Sequence, residues 1–263
     1  MRVVVTSASG FLGGAAVRAL RACGMDVSEV PRERLDDPPV GDVLIHLAEP
    51  GDRRVAEVGG ERYRAQILER LERLLAKGYP KLVYISSAVV YGDRSMHAHS
   101  ESDAVEPTDA YAVLKSQCEE RALAHGAVVL RVANVYGLGM AQGSVMAAVL
   151  GQIPGQGPLR VLDDAPRRDF VWVEDLGHAV TCATQCAVGP SIYNIGTGVG
   201  TSVGDLARLA LRLAGQPERK VVATGASATA SCLVVDPSAA RAKLGWGATI
   251  NLEQGLQLLL RKP

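Results

Sequence analysis

Tyr111 and Lys115 stand four residues apart in the run Asp109-Ala110-Tyr111-Ala112-Val113-Leu114-Lys115, a spacing that stacks a phenol and an ammonium on one helix face. Such a pair can move protons. A free tyrosine titrates near pH ~10, so a phenol acting at neutral pH needs a cation beside its phenolate, at about 1.4 kcal/mol per tenfold change in ionisation. Lys115 is placed to supply it. A tyrosine and a lysine one turn apart are also common on plain helix surfaces, so the chemistry depends on what the rest of the chain brings to them.

Short β-branched runs alternate with longer helical patterns. The pattern predicts strands at 2–6, 26–30, 42–48, 82–86 and 127–132, and helices at 13–23, 61–77 and 112–124. That alternation builds a parallel sheet. Val3-Val4-Val5 and Leu82-Val83-Tyr84-Ile85 are apolar throughout, as strands covered by helices on both faces are. Sheets of this kind hold ligands beyond the carboxyl ends of their strands, so 6–13, 31–32, 47–48 and 86–87 should border one crevice. After Gly137 the alternation weakens, with helices expected at 145–150, 173–185, 202–214 and 251–260 and strands at 191–195 and 221–224.

The predicted fold is α/β, a doubly wound parallel sheet of Rossmann-like type with a smaller C-terminal substrate-binding lobe. Residues 1–137 form the dinucleotide-binding part, segments near 160–200 return to it, and 138–263 form most of the discontinuous second lobe.

The 263 residues are 48% hydrophobic and 21% charged, with Lys plus Arg and Asp plus Glu equal at 28 each. A large core is affordable, and no global field draws the chain to nucleic acid or anionic lipid. The expected partner is a small molecule. No apolar run is long enough to span a bilayer, and the chain opens on a strand pattern without an export signal. Five scattered cysteines, an odd count, argue against a disulfide framework and fit a reducing cytoplasm. Cys182 and Cys186 share a helix face, but no further ligand joins them and they read as packing. His97 and His99 fall in the polar loop 93–109, while His46, His125 and His178 have no partner spacing, so no metal site is expected.

Thr6-Ser7-Ala8-Ser9-Gly10-Phe11-Leu12-Gly13 joins the first strand to the first helix, where glycines let the backbone approach a pyrophosphate. Ser7, Gly10, Phe11, Leu12 and Gly13 are therefore candidate dinucleotide contacts, with Leu47 and Ala48 across the crevice. NAD-selective sites carry an acidic residue at the tip of the second strand, yet here Val30 is followed by Pro31 and Arg32. Arg32 either forks onto a 2′-phosphate, which favours NADP over NAD, or is a solvated loop arginine beside Glu33 and Arg34.

Ile85-Ser86-Ser87-Ala88-Val89-Val90-Tyr91-Gly92 leaves the end of a buried strand, where a hydroxyl can point into the crevice beside Tyr111. Alternation sends Ser86 and Ser87 to opposite sides, and Ser87 is the preferred candidate. Together with 6–13, His46-Leu47-Ala48, Tyr111 and Lys115, this resembles the NAD-dependent epimerase/dehydratase branch of the extended short-chain dehydrogenase/reductases, whose members act largely on nucleotide sugars. The similarity continues through Leu130-Arg131-Val132-Ala133-Asn134-Val135-Tyr136-Gly137, Arg167-Arg168-Asp169-Phe170-Val171-Trp172-Val173-Glu174-Asp175, Tyr193-Asn194-Ile195-Gly196-Thr197-Gly198 and Leu244-Gly245-Trp246.

The resemblance implies that Ser87 orients the sugar carbonyl or hydroxyl, that Tyr111 exchanges its proton, and that Lys115 binds the nicotinamide ribose while favouring the tyrosinate. It also implies that Asn134 and Arg168 surround the substrate diphosphate. On the residues alone, Asn134 serves equally to satisfy loop backbone groups, and Arg168 to pair with Asp169. Helices matching 61–77 and 112–124 often form a four-helix contact in this family, which implies a homodimer.

Two departures stand out. The loop is similar to T-G-x-x-G-x-x-G, with Ser7 in place of the first glycine; its side chain either crowds a positive φ or offers a hydroxyl to phosphate. Many relatives carry an arginine followed by Gly-Asp where this chain reads Ala-Thr-Gly-Ala-Ser-Ala-Thr-Ala-Ser-Cys-Leu between Val222 and Val234. Either Arg160 or Arg167 takes over, or the substrate is not a standard sugar nucleotide. The expected function is NAD(P)-dependent reduction of a keto group on a nucleotide-activated deoxysugar. The alternatives are an epimerase that retains NAD and a non-catalytic dinucleotide-binding sensor. Among the reactions dehydration ranks third, because Ala88-Val89 offers no carboxylate after the strand serine.

Overall fold

A strand covered on both faces must be apolar at every inner position, and Val3, Val4 and Val5 are all fully buried. They belong to the first strand of a computed structural model that describes residues 1–47, 53–225 and 230–261, with Arg32 described in its backbone only. In chain order the first half comprises β1 (Arg2–Thr6), α1 (Phe11–Ala22), β2 (Asp26–Val30), β3 (Val43–His46), α2 (Arg53–Leu75), β4 (Lys81–Ser87), α3 (Ala110–Ala124) and β5 (Val128–Val132). The second comprises β6 (Asn134–Tyr136), α4 (Val145–Leu150), β7 (Leu159–Val161), β8 (Arg167–Trp172), α5 (Val173–Gln185), β9 (Ser191–Ile195), β10 (Gly200–Ser202), α6 (Val203–Leu213), β11 (Val221–Ala223), β12 (Cys232–Leu233), α7 (Ser238–Leu244) and α8 (Leu252–Leu260). Short 3-10 turns occupy Arg32–Arg34 and Ala88–Tyr91.

Six parallel strands form the main sheet in the order β2-β1-β3-β4-β5-β9. The chain leaves β1 toward β2 on one side and returns to β3 on the other, so a crevice opens at the carboxyl ends of β1 and β3. Side-chain alternation sorts the core. Val83 and Ile85 of β4 pack with Ala16, Leu20, Leu176 and Val180 from α1 and α5. Leu82 and Tyr84 face Leu71, Leu74, Leu114 and Cys118 from α2 and α3. Each helix stripe therefore sets which strand residues are buried on its side.

The helix edges follow from local chemistry. Asp109 caps α3 by accepting from the Ala112 amide at 2.7 Å, and Ser202 and Asn251 do the same for α6 and α8. α2 starts earlier than the sequence suggests. Gly60, at φ 55 and ψ −150, breaks it into two segments, which is why the pattern alone shows only the second.

β8 organises the second lobe, pairing with β6 and β12 in parallel and with β10 antiparallel, while β7 pairs with β11. None of β6, β7, β8, β10, β12 and α7 is anticipated by the sequence pattern. Tyr136 packs edge-on to Trp172 and Phe170, with ring centroids 5.3 and 6.2 Å apart, above Leu206, Leu211 and Leu256. Buried Asp175 accepts from Thr249 Oγ1 at 2.6 Å and from the Ile250 amide at 3.0 Å. Its carbonyl takes the Trp246 indole N–H at 2.9 Å, so the C-terminal segment is tied to α5. Among the described residues no helix is long and apolar enough to cross a membrane, and the five cysteines are unbridged.

Candidate functional site

Thr6, fully buried at the end of β1, ties the crevice floor together. Its Oγ1 accepts from the Leu47 amide at 3.0 Å and lies 3.0 Å from His46 Nδ1. The loop that follows turns sharply: Ser7 takes φ 51, the Gly10 amide donates to Ser7 O at 2.9 Å, and α1 begins at Phe11. The crowding expected of Ser7 at a positive φ has a counterpart. It occupies a left-handed backbone conformation, and its hydroxyl is buried with no hydrogen-bond partner among the described residues.

The loop fits a dinucleotide. A Cβ at Gly13 would lie 2.2 Å from Ser7 O and 2.9 Å from Ala8 Cα, so only glycine lets loop and helix meet this closely. α1 has no side-chain cap and no acidic residue in its first turn, which leaves its N-terminal amides and positive dipole end for an anion. Phe11 and Leu12 are half-buried. Arg32 sits in the short turn after β2, but its side chain lies outside the described residues, as does Ala48 altogether.

At the carboxyl end of β4 the two serines differ. Ser87 is half-buried and caps the Ala88–Tyr91 turn, its Oγ accepting from the Val89 amide at 3.4 Å. Ser86 is buried, and its hydroxyl has no partner among the described residues. Tyr111 lies in the first turn of α3, half-buried, with no hydrogen bond to its phenol among the described residues. Lys115 is buried one turn further on. Its Nζ donates to Ile85 O at 2.9 Å and lies 3.4 Å from Tyr84 Oη. α3 packs on β4 and on the turn after it, so the strand end that carries the serines and the helix that carries Tyr111 and Lys115 share one edge.

Asn134 and Arg168 are engaged with the protein itself. Asn134 Nδ2 donates to Asp169 O at 3.3 Å. Arg168 pairs not with Asp169 but with Asp93 at 3.4 Å, and it also donates to Ser231 Oγ at 2.7 Å. Burial pulls the Arg168 guanidinium below its usual range, Asp93 opposing and Arg53 adding to the effect. Asp169 serves the turn after β9 instead, accepting from Thr197 Oγ1 at 2.6 Å and the Gly198 amide at 3.0 Å. Burial raises its carboxyl above the usual range, with those bonds countering.

Sequence reasoning missed the network that steadies the exit of β4. Tyr91 Oη donates to Asn194 Oδ1 at 2.8 Å, the Asn194 amide donates to Glu101 at 2.7 Å, and Asn194 Nδ2 donates to His99 O at 2.8 Å. Arg131 lies over the Tyr91 ring, 4.6 Å from its centroid, and pairs with buried Glu119. Burial opposes the Arg131 charge, and the Glu119 hydrogen bonds and charge more than restore it. Sequence reasoning also missed that His97 and His99 converge on Asp103; the spacing His-x-His-x-x-x-Asp was the available signal. A cleft of about 540 Å³ lined by Val199, Thr201, Arg208, Arg212, Asn251 and Glu253 lies elsewhere, and no predicted site residue lines it.

Residues 40–196 match the NAD dependent epimerase/dehydratase family. The dTDP-6-deoxy-L-talose 4-dehydrogenase (NAD(P)(+)) of Kitasatospora kifunensis is 29% identical, with 98% of this chain and 94% of that enzyme aligned. The dTDP-4-dehydro-6-deoxyglucose reductase of Escherichia coli is 26% identical over 72% of this chain, and the match spans 63% of that enzyme's length. Among solved structures, RMD from Pseudomonas aeruginosa complexed with NADPH superposes with a TM-score of 0.85 at 26% identity, covering 98% of this chain and 97% of that one. With the glycine loop, the parallel sheet and the serine, tyrosine and lysine at one edge already in place, the match settles the lineage: this chain belongs to the NAD dependent epimerase/dehydratase family of extended short-chain dehydrogenase/reductases and is an NAD(P)-dependent enzyme.

Proposed function

We propose that this enzyme reduces the keto group of a nucleotide-activated deoxysugar, with NADPH as the preferred reductant and Tyr111 as the proton donor. The observation that carries the reading is the edge formed by β4 and α3. There Ser87 leaves a strand end, Tyr111 presents a phenol with no hydrogen bond among the described residues, and Lys115 is buried one turn behind it.

In this reading Ser7, Gly10, Phe11, Leu12, Gly13, Leu47 and Ala48 line the dinucleotide, Arg32 takes its 2′-phosphate, and Lys115 meets its nicotinamide ribose. When bound, the dinucleotide supplies a hydride to the carbonyl carbon. Ser87 Oγ donates a hydrogen bond to the carbonyl oxygen and fixes its direction. Tyr111 gives its phenolic proton to that oxygen as negative charge develops there, and the Lys115 cation stabilises the phenolate left behind. Arg168 and Asn134 hold the diphosphate of the sugar nucleotide. To do so the Arg168 fork exchanges Ser231 and Asp93 for phosphate oxygens, a pairing that its planar geometry suits.

Support for a reductase comes from the Kitasatospora and Escherichia relatives, whose names state deoxysugar dehydrogenase and reductase activity, and from the Pseudomonas structure with NADPH. Epimerisation is the second reading, because the UDP-glucose 4-epimerase of Corynebacterium glutamicum aligns over 94% of this chain at 24% identity. Mass spectrometry of ligand released from gently purified protein separates them. Empty or NADP-loaded protein that oxidises NADPH with a dTDP- or UDP-linked 4-keto sugar supports reduction. Retained NAD, with isomer exchange and no net NADPH oxidation, overturns it. We further propose a cytoplasmic homodimer joined through α2 and α3; light scattering that gives the mass of one chain would refute the dimer.

A further inference from the structure

The loop from Gly92 to Asp109 joins the strand that carries Ser87 to the helix that carries Tyr111, and it gathers two imidazoles and a carboxylate. His97 Nε2 lies 3.3 Å and His99 Nδ1 3.1 Å from the same oxygen, Asp103 Oδ2. The three ligand atoms lie within 4.8 Å of one another, a grouping unique among the described residues. We propose that they bind a divalent transition-metal ion, zinc by ligand class, in a site open to solvent on the His97 side. The reading is independent of the reaction proposed above.

The spacings accommodate an ion. Ligand atoms about 2.0–2.1 Å from a tetrahedral zinc stand about 3.3–3.4 Å apart, whereas charge-assisted N–H···O bonds contract to about 2.7–2.9 Å. The His97 spacing of 3.3 Å matches the first figure, and the His99 spacing of 3.1 Å falls midway between the two.

Ser95 gives a second, independent argument. Its Oγ lies 2.9 Å from His97 Nδ1, 3.2 Å from the His97 amide and 3.2 Å from His97 O. The carbonyl can only accept, and with the Ser95 proton placed there Oγ accepts from the His97 amide and from an Nδ1–H. In that arrangement His97 Nδ1 carries the hydrogen and Nε2 turns a lone pair toward a carboxylate oxygen. Two acceptors then face one another, an arrangement that a bound cation satisfies. The other carboxylate oxygen, Asp103 Oδ1, accepts from Ser100 Oγ at 2.6 Å, so both outer ligands carry the supporting bonds that orient metal-binding groups.

His99 is fixed for the role. It is 6% exposed, its ring stacks on Tyr91 at 4.7 Å and 5°, and its backbone pairs with Val234 and Asp236. Its Nε2 is buried without a partner among the described residues, so none of them on the far side of the ring dictates which nitrogen carries the hydrogen. Nδ1 is free to coordinate. An ion here would fasten the chain at 97 to the chain at 103 and stiffen the approach to Tyr111.

The test uses the intact protein, dialysed against a chelator and then titrated with zinc chloride alone, with bound metal measured by plasma mass spectrometry and calorimetry. One equivalent should bind. Cobalt(II) should give the visible bands of a tetrahedral nitrogen and oxygen site without the near-ultraviolet bands of thiolate ligation, which separates this site from the free cysteines. His97→Ala alters an exposed residue and should abolish binding while circular dichroism and melting stay native; Asp103→Asn should do the same. Ser95→Ala should weaken binding by about 10–100-fold through the loss of its orienting bond, and Cys182→Ser should change nothing. No zinc on the intact protein, or undiminished binding by His97→Ala, would overturn the proposal and leave a cluster held by a shared proton.

Discussion

Ser7→Gly should stabilise the protein and weaken its hold on the cofactor. Ser7 sits at φ 51 with a hydroxyl that is buried and unpartnered among the described residues. A left-handed conformation costs an L residue roughly 1–2 kcal/mol, and leaving a buried hydroxyl unpaired costs roughly 1–3 kcal/mol. Glycine removes both penalties but loosens the unfolded chain, which offsets roughly 0.4–1 kcal/mol. A net gain of about 1–2 kcal/mol follows at the cautious end of those ranges, which for a chain of this size raises Tm by about 2–8 °C. Ser7→Ala separates the two terms, since it deletes the hydroxyl and keeps the strain, and it should fall between wild type and Ser7→Gly. The assay is thermal and urea unfolding of the cofactor-free protein, followed by NADPH titration. If the hydroxyl serves the pyrophosphate, both variants should bind NADPH about 3–10-fold more weakly, the value of one hydrogen bond. A Ser7→Gly protein that melts at or below the wild-type temperature would refute the strain argument. NADPH affinity unchanged in both variants would remove the hydroxyl from the cofactor site.

Gly13→Ala should abolish measurable NADPH binding, because its Cβ would meet the Ser7 carbonyl oxygen at 2.2 Å and the loop must move; calorimetry showing wild-type affinity would contradict this. Glu119→Gln should lose about 3–5 kcal/mol in urea unfolding, since it strands the buried Arg131 charge under Tyr91. Replacing both partners with apolar residues should cost less than either single change. Tyr136 holds its proton well above the usual range, through burial first and the Asp175 charge second. The folded protein therefore keeps this phenol neutral where the unfolded chain ionises, so stability is full below pH ~10 and falls as pH rises beyond it. Tyr136→Phe should flatten that alkaline fall in Tm, and a decline as steep as wild type would count against it.

Much of the first half was legible because β1, β3, β4 and β5 are buried on both faces, whereas the edge strand β2 is half-exposed. Val3 to Val5 and Leu82 to Ile85 needed no partner to be recognised. β8 was not legible. Its apolar stretch Phe170-Val171-Trp172 runs directly into α5 at Val173 with no turn residue between them, and only the neighbouring strands define it. The catalytic candidates could be read from spacing, whereas the partners of Arg168 could not: Asp93 and Ser231 are distant in sequence and meet only through folding. The His97, His99 and Asp103 grouping was visible as spacing but sits in a loop without periodicity, so nothing in the sequence fixed its geometry.

The central claim is that Tyr111 delivers the proton. It is tested most directly by NADPH oxidation with dTDP-4-keto sugars, comparing wild type with Tyr111→Phe, with Ser87→Ala and Ser86→Ala alongside. Tyr111→Phe should bind NADPH normally and lose about 10²–10⁴-fold in kcat, with Ser87→Ala impaired and Ser86→Ala near wild type. A Tyr111→Phe enzyme turning over within about threefold of wild type, too small a loss for a missing general acid, would contradict the account.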